Sequence, residues 1–265
     1  CFPVGEHVLI GSMRYGIRWP EELIMKAIFT HHPEFTSSGL LYDGSIERRH
    51  QYTIEGGDVH PLREDLVIIG FSGRSSPAAI DGLASLLFEK TAVTDAIIVV
   101  MPEHTTAIHL DMVFTQLDRE LCAVYPPHFI GPERLRVLHW RKGEQRLREP
   151  ATLFAALESV ALPLEPVLCG GTRRTLQDRE QWSSGCNFVA MSPGVVLSYA
   201  RNEATLRELE GAGFRLIPAD PLLTGEARIT EGERAAITFQ GGELVRGGGG
   251  ARCMTCPIQR DDPWN

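Results

Sequence analysis

The chain has 265 residues, 43% of them hydrophobic and 23% charged, with a formal net charge of −8 and a pI near 5.6. This composition is typical of a globular protein with ample material for a buried core. The acidic balance argues against nucleic-acid binding, and no apolar run approaches the ~20 residues that span a bilayer. These numbers exclude two classes of partner, nucleic acid and membrane.

The N-terminal stretch CFPVGEHVLIGSMRYG lacks the layout of a signal peptide, and it lacks a starting Met. We therefore expect the chain to begin inside a domain. The six cysteines are too scattered for a disulfide framework, which predicts a reducing, cytoplasmic location. Cys122, Cys169 and Cys186 are expected to pack as small hydrophobic residues.

In chain order, the first predicted elements are a strand, HVLIGSM at 7–13, a helix, PEELIMKAIFTHH at 20–32, and a less regular extended stretch. The next elements have the order strand, strand, helix, strand. They are YTIEGGDV (52–59), DLVIIGFS (65–72), SPAAIDGLASLLFEK (76–90) and DAIIVVMP (95–102). Ser76 suits the N-cap of that helix and Pro77 its first turn. The first segment then fits a copy of the same unit that has lost its opening strand.

The same order recurs twice more. The predicted elements are strands AIHLDMVFT (107–115) and ELCAVYPP (120–127), helix 152–161 and strand 165–169, then strands 187–193 and 194–200, helix 202–213 and strand 214–220. The last residues, from RAAITF to PIQRD, predict strands that close the set. Units at about 50-residue spacing favour an α/β propeller over a doubly wound parallel sheet, which has one strand per helix. No low-complexity linker interrupts the chain, so we predict a single domain.

Polar side chains fall at comparable places in these units. Glu55 and Asp58 lie in the first predicted strand of one unit, and His109 and Asp111 in that of the next. Residues two apart in a strand share a face, so His109 and Asp111 are expected to point the same way. Asn187 opens the third unit. If the first strands line the axis of a propeller, these groups converge at its centre.

The last motif is GGGGARCMTCPIQRD at 247–261. A glycine run is either a flexible linker or a loop that comes close to a small ligand, here beside the thiol of Cys253. A single Cys-x-x-Cys is weak evidence for zinc, which needs four ligands in a structural site. It is also weak evidence for a thioredoxin-type motif, because it does not open a helix in a βαβ unit.

The residue types suggest one chemistry. A Cys thiolate is a nucleophile, and His is a general acid and base near neutral pH. Paired carboxylates bind a planar cation through charge-assisted hydrogen bonds, and a guanidinium also offers an electrophilic carbon. Two alternatives stay open: a non-catalytic propeller with an unreactive Cys253, and a metal hydrolase using His104, His109 and Asp111.

Five motifs in family order, IEGGD (54–58), GFSGRSS (70–76), HLDMVFT (109–115), WSSGCNFVAMSPGVVLSY (182–199) and GGGGARCMTCPIQRD, closely resemble the arginine deiminase family. That family belongs to the guanidine-modifying superfamily with the pentein fold, a five-bladed α/β propeller of ββαβ blades. The resemblance implies a single catalytic domain over 1–265 that lacks its N-terminal part and holds about four of the five blades.

The resemblance also implies roles. Cys253 is the nucleophile, His109 protonates departing ammonia and then activates water, and Glu55 and Asp111 grip the guanidinium nitrogens. The implied substrate-binding residues are Arg18 and Arg74, which hold the α-carboxylate, with Asp58, Asn187 and Gly249.

Three departures from the family pattern bear on substrate. A further carboxylate in a Phe-Thr-Arg-Asp motif precedes the segment that matches CFPVGEHV, and this chain does not contain it. We expect weaker substrate binding and an exposed sheet edge as a result. Gly248 stands where an arginine is common, and Met112 stands where threonine is usual.

The implied reaction converts arginine and water to citrulline and ammonia through a covalent amidino-cysteine, in arginine catabolism. Neither a metal nor an organic cofactor is expected, because Cys and His supply the chemistry. An amidinotransferase and a deiminase of another guanidino compound are the alternatives on the same fold. The expected partner is a small guanidine, and assembly into a homo-oligomer is left open.

Overall fold

The computed structural model describes residues 1–35, 39–46, 51–103, 106–258 and 260–264. The chain divides into two compact units. Unit 1 comprises residues 1–110, 136–151 and 256–261, and unit 2 comprises 111–135, 152–255 and 262–265. The single domain over 1–265 stays a prediction.

The described residues form fourteen strands and seven α-helices. The strands are β1 (Phe2–Val4), β2 (His7–Ile10), β3 (Leu40–Asp43), β4 (Val59–Arg63), β5 (Leu66–Phe71), β6 (Asp95–Val100), β7 (Phe114–Gln116), β8 (Leu121–Val124), β9 (Val137–Arg141), β10 (Glu165–Leu168), β11 (Val189–Ser192), β12 (Val195–Tyr199), β13 (Arg215–Pro218) and β14 (Ala235–Phe239). The helices are α1 (Trp19–His31), α2 (Pro77–Lys90), α3 (Pro126–Phe129), α4 (Leu153–Ser159), α5 (Arg174–Trp182), α6 (Glu203–Gly211) and α7 (Ala219–Leu223). None of these helices is long and apolar enough to cross a membrane.

Unit 1 holds two sheets. In the first, of order β1-β2-β3, β1 is antiparallel and β3 parallel to β2. The prediction that this copy has lost its opening strand was wrong, since Phe2 pairs with Leu9 and Val4 with His7. A three-residue strand is too short to show alternation, and Gly5, at φ +57°, allows the tight turn that joins it to β2. The sheet edge that we expected to be exposed at β2 is therefore covered by β1.

The second sheet of unit 1 has the order β4-β5-β6-β9. Helix α2 begins as predicted. Ser76 accepts a hydrogen bond from the backbone N–H of Ala79 at 3.4 Å, and Pro77, in the first turn, has no backbone N–H that would need an acceptor. Its apolar side chains recur every three or four residues and pack into the core with those of β5 and β6. The buried residues of α2 are Ala79, Ile80, Leu83, Ala84, Leu87 and Phe88.

Unit 2 holds the other two sheets, of orders β10-β8-β7 and β11-β12-β14-β13. In each, an antiparallel pair comes first and a parallel strand follows a helix. The four sheets thus repeat the predicted ββαβ order. Leu206 and Leu209 of α6 pack against Val196, Ala236 and Phe214 in one apolar core. Gly213, at φ +88°, ends the α6 segment as predicted.

Three strand predictions were wrong. Residues 107–113 lie in a loop and a 3-10 turn, and β7 begins only at Phe114. Ile54 makes a single bridge to Ser12, and β4 begins at Val59 after a 3-10 turn over Gly56–Asp58. Of the final residues, RAAITF forms a strand as predicted, β14, but this strand inserts between β12 and β13, and the described part of PIQRD contains no strand that would close the set.

Candidate active site

Glu55, in unit 1, lies just before β4 and is only 1% exposed. Its Oε1 accepts a hydrogen bond from the backbone N–H of Arg14 at 3.0 Å. Its Oε2 lies 2.5 Å from Nη1 of Arg18, 2.9 Å from Nε2 of His109 and 3.4 Å from Nη1 of Arg74. One buried carboxylate therefore gathers two guanidinium groups and the imidazole.

This environment sets the protonation of Glu55. Burial acts to raise its pKa, but the hydrogen bond and charge of His109, the Arg14 N–H and the charge of Arg18 outweigh it and lower the pKa to about 2. Glu55 is consequently a carboxylate at all physiological pH values. The Glu55 carboxylate at Nε2 orients the His109 ring, and a histidine held in this way can serve as a general acid or base.

The two glycines of Glu55-Gly56-Gly57-Asp58 have a packing reason. A Cβ on Gly57 would lie 2.8 Å from Cγ and Nδ1 of His109. A Cβ on Gly56 would lie 2.9 Å from the carbonyl oxygen of Cys1. Gly57 thus allows the His109 ring to lie directly on the backbone beside Glu55.

Asp58 is fully buried, and three protein groups hold its carboxylate. Oδ2 accepts hydrogen bonds from the hydroxyls of Ser72 and Ser75, each at 2.6 Å, and Oδ1 accepts one from the N–H of Leu110 at 2.9 Å. Asp58 therefore fixes the backbone immediately after His109. Burial raises the pKa of Asp58 to about 6, against the opposing effects of His109 and the two serines. Its substrate contact stays a prediction.

The two arginines assigned to an α-carboxylate are both held near Glu55. Arg18 forms a second, two-point ion pair with Glu21, at 3.0 and 2.9 Å, at the start of α1. The Arg74 guanidinium lies over the Tyr15 ring, 4.6 Å from its centroid. Both guanidinium groups are partly exposed, so a carboxylate can reach them.

Unit 2 carries the thiol. Cys253 lies in a 3-10 turn over Arg252–Met254. Its Sγ is 3.4 Å from Oδ2 of Asp111 and 3.2 Å from Nδ2 of Asn187. Asp111 is 2% and Asn187 1% exposed, whereas Cys253 is an exposed residue. The thiol therefore lies at the edge of a buried polar pair.

Two effects raise the pKa of the Cys253 thiol. Although the residue as a whole is exposed, its sulfur lies against Asp111 and Asn187, and the desolvation of the sulfur there and then the negative charge of Asp111 raise the pKa of Cys253 to about 12, against the hydrogen bonds from Gly250 and Asn187 that act to lower it. A cation beside the sulfur would oppose the charge of Asp111.

Asp111 has a free acceptor. Its Oδ1 is buried and has no hydrogen-bond partner among the described residues. A buried carboxylate oxygen without a partner is unfavourable. An N–H donor next to Cys253 would satisfy it, and a guanidinium supplies several such donors in one plane.

The glycine run folds against Cys253 and is not a linker. Gly248 and Gly249 have φ values of +76° and +97°. A Cβ on Gly249 would lie 2.9 Å from Cβ and Sγ of Cys253, and one on Gly250 would lie 2.7 Å from Oδ1 of Asn187. The Cβ position of Gly248 has no atom within 4 Å. The run thus lets the backbone fold closely over Cys253, and its approach to a ligand stays a prediction.

The other predictions divide as follows. His109 and Asp111 do not share a strand face, because both precede β7. The structure groups His109 with Glu55, Asp58, Arg18 and Arg74 in unit 1, and Cys253 with Asp111, Asn187 and Gly249 in unit 2. The convergence of these two groups stays a prediction.

Several site contacts were not predicted. Ser72 and Ser75 hold Asp58, and the Arg14 N–H holds Glu55. The serines of GFSGRSS are visible in the sequence as possible hydrogen-bond donors, whereas a backbone N–H donor such as that of Arg14 has no sequence signal. The second cysteine of Cys-x-x-Cys, Cys256, has its Sγ 3.4 Å from that of Cys1 within unit 1.

Cys122, Cys169 and Cys186 are completely buried, as predicted. His104 lies outside the described residues. Among the residues that are described, no three His, Cys, Asp or Glu side chains are grouped to hold a metal ion.

Comparison with solved structures shows which fold the chain has. The chain aligns with AgrE, crystallised with ornithine and NAD⁺, over 99% of its own length and 29% of that chain, with a TM-score of 0.61 and 17% identity. It aligns with SxtG, an amidinotransferase from Microseira wollei, over 97% and 67%, with a TM-score of 0.61 and 13% identity. These likenesses confirm the predicted pentein fold.

The family follows from the sequence. Residues 2–260 match the arginine deiminase family model, so the chain belongs to the arginine deiminase family. It is 30% identical over 260 residues to the arginine deiminase of Rhodococcus jostii (strain RHA1). The alignment covers 98% of this chain and 58% of that relative, so the chain spans less than two thirds of its length.

Proposed function

We propose that this protein is a hydrolase that converts L-arginine and water to L-citrulline and ammonia. The observation that carries the proposal is the Cys253 thiol, 3.4 Å from the buried Asp111 carboxylate, whose other oxygen is unpaired among the described residues. Family membership and the His109–Glu55 pair at 2.9 Å support it. The proposal requires both groups to act on one substrate.

In the proposed reaction, the substrate cation offsets the charge of Asp111 and allows the thiol to ionise, with its proton released to solvent. Cys253 Sγ then forms a bond to the guanidinium carbon, whose C=N electron pair moves onto nitrogen. Protonated His109 gives its proton to one terminal nitrogen, which leaves as ammonia. A cationic amidino-cysteine, still attached to the substrate chain, remains.

The second half of the reaction uses the same histidine. Neutral His109 takes a proton from water, and the hydroxide adds to the amidino carbon. Collapse of this intermediate forms the carbonyl C=O bond, breaks the C–S bond with its electron pair returning to sulfur, transfers the hydroxyl proton to the sulfur and releases citrulline. Glu55 and Asp111 hold guanidinium N–H groups throughout, and no metal or organic cofactor enters these steps.

Arginine is proposed as substrate because Arg18 and Arg74 offer two partly exposed guanidinium groups to an α-carboxylate. Glu55 binds both of them in the unliganded protein. Substrate binding must therefore move Arg18 from the carboxylate that receives the substrate guanidinium. We propose a cytoplasmic location because all six cysteines are free thiols, which is typical of proteins in a reducing compartment.

The test measures citrulline and ammonia from arginine, with Cys253→Ser as the inactive variant and Cys256→Ser as the matched thiol control. Equal amounts of both products, lost only in Cys253→Ser, are expected. A parallel assay with agmatine, which lacks the carboxylate, tests for a deiminase of another guanidino compound. A second assay with an added amine acceptor tests for an amidinotransferase. Faster turnover of agmatine, or transfer of the amidino group to the amine, would contradict the proposal.

A further inference from the structure

Asn187 uses both ends of its side chain on the protein in unit 2. Oδ1 accepts hydrogen bonds from the backbone N–H groups of Arg252, at 2.9 Å, and Cys253, at 3.4 Å. Nδ2 donates to the carbonyl oxygen of Asp111 at 3.1 Å and approaches Cys253 Sγ at 3.2 Å. The side chain is 1% exposed, so it is removed from solvent as well.

We propose that Asn187 is the positioning residue of the nucleophile, which locks the Cys253 turn to the Asp111 backbone and donates a hydrogen bond to the ionised sulfur. This inference rests on the proposed function for its catalytic meaning. It differs from the substrate contact that the family resemblance implied, because the amide is already committed to protein groups.

The chemistry of an amide suits this task. Only Asn or Gln presents an acceptor and a two-proton donor on one planar group. The acceptor binds the two N–H groups of the turn that carries the nucleophile. The donor faces a sulfur that becomes negative during the reaction, and a hydrogen bond to the charged form favours that form. Aspartate at this position would keep the acceptor, lose the donor and add a like charge.

The neighbouring sequence is adapted to this contact. A Cβ on Gly250 would lie 2.7 Å from Oδ1 of Asn187, so only glycine leaves the amide in place. Gly250 has no positive φ. Gly250→Ala therefore perturbs Asn187 by contact and not by backbone strain, which gives a second, independent variant.

Asn202 provides a matched control in the same unit. It is fully buried, and its amide both accepts from and donates to Ser183, at 2.5 Å to the hydroxyl and 3.1 Å to the carbonyl oxygen. Asn202→Ala removes a buried, satisfied amide whose hydrogen bonds, among the described residues, go to Ser183 and not to Cys253. A purely structural effect of losing such an amide would appear equally in both variants.

The experiment measures the rate of Cys253 alkylation by iodoacetamide from pH 6 to 11, by peptide mass spectrometry, in the full chain. We expect Asn187→Asp and Gly250→Ala to alkylate about tenfold more slowly at pH 8, a shift of one unit in the apparent pKa of the thiol. Asn202→Ala should retain the wild-type profile. Wild-type profiles in both Asn187→Asp and Gly250→Ala, or an equal shift in Asn202→Ala, would overturn the proposal.

Steady-state kinetics separate positioning from substrate binding. For Asn187→Asp we expect kcat to fall at least about tenfold, with KM changed less than about threefold, because no substrate contact is lost. A rise in KM at unchanged kcat would overturn the positioning role. If the wild-type chain alkylates as expected but shows no turnover of arginine, the proposed function fails while the role of Asn187 at Cys253 stands.

Discussion

Glu55 offers the sharpest test of the electrostatics of unit 1. Glu55→Gln keeps the shape of the side chain and removes the charge that faces Arg18, Arg74 and His109. The native pKa of about 2, against an ordinary 4.5, corresponds to about 3 kcal/mol of stability at pH 7. Loss of one partner from a buried ion pair typically costs about 3–5 kcal/mol, which agrees with the value obtained from the pKa of Glu55.

The pH dependence has a definite sign. Because the pKa of Glu55 is lowered on folding, its contribution is complete above pH 4.5 and disappears as the pH falls through about 2. The difference between wild type and Glu55→Gln should therefore fall from about 3 kcal/mol at pH 7 to about 2 kcal/mol at pH 3.5. At pH 7 it corresponds to a decrease in Tm of roughly 6–12 °C.

The assay is urea unfolding at several pH values, with Glu149→Gln as control. Glu149 forms a two-point ion pair with Arg136, but both side chains are more than half exposed. Exposed ion pairs contribute little to stability because water screens them, so the control should be nearly neutral. An equally small loss in Glu55→Gln, or one that does not change between pH 7 and 3.5, would refute the reasoning.

Three further predictions concern the catalytic groups. Asp111→Asn removes a negative charge 3.4 Å from Cys253 Sγ, so iodoacetamide should label Cys253 about tenfold faster at pH 8; an unchanged rate would contradict the cause given for the raised thiol pKa. Gly249→Ala should lower kcat at least about tenfold, since its methyl would lie 2.9 Å from the sulfur. Gly248→Ala, with a similar φ but open space, should retain activity while losing comparable stability, and equal activity losses would be the contrary result. Folding raises the pKa of Asp58 to about 6, so the stability that protonated Asp58 contributes is lost as the pH rises through 6. The unfolding free energy of Asp58→Asn minus that of wild type should therefore increase from pH 4 to pH 7. A difference that does not change with pH would disprove this.

Much of the fold was predictable because its signals are local. The helix at 76–90 combines a Ser76 cap, an early proline and apolar residues every three or four positions. The strands at β5 and β6 are short, continuous apolar runs, as expected of buried parallel strands. These patterns depend on residues close together in the sequence, so they can be recognised without knowledge of the tertiary structure.

The missed elements depend on contacts far apart in sequence. Helix α5 buries Gln177, Glu180 and Gln181 and so has no apolar periodicity. Glu180 is stabilised there by donating groups of another helix, the N–H groups of Ala204 and Thr205. The insertion of β14 between β12 and β13 is likewise a choice of partner that local sequence does not encode.

The site shows the same division. Residue types and motif order identified Cys253, His109, Glu55 and Asp111 as a chemical set, but alternation in AIHLDMVFT wrongly predicted a strand. The N–H of Leu110 bonds to Asp58, a contact across 52 positions, and the backbone turns there before β7. The alternation of polar and apolar residues there has another cause: His109 packs on Gly57, and Asp111 lies beside Cys253.

The most direct test of the central claim is intact and peptide mass spectrometry of the protein, acid-quenched during turnover of arginine. The proposed mechanism predicts an adduct equal to arginine less ammonia, mapped to Cys253, absent from Cys253→Ser and present in Cys256→Ser. Citrulline formation with no adduct at Cys253, or by Cys253→Ser, would contradict covalent catalysis by this residue.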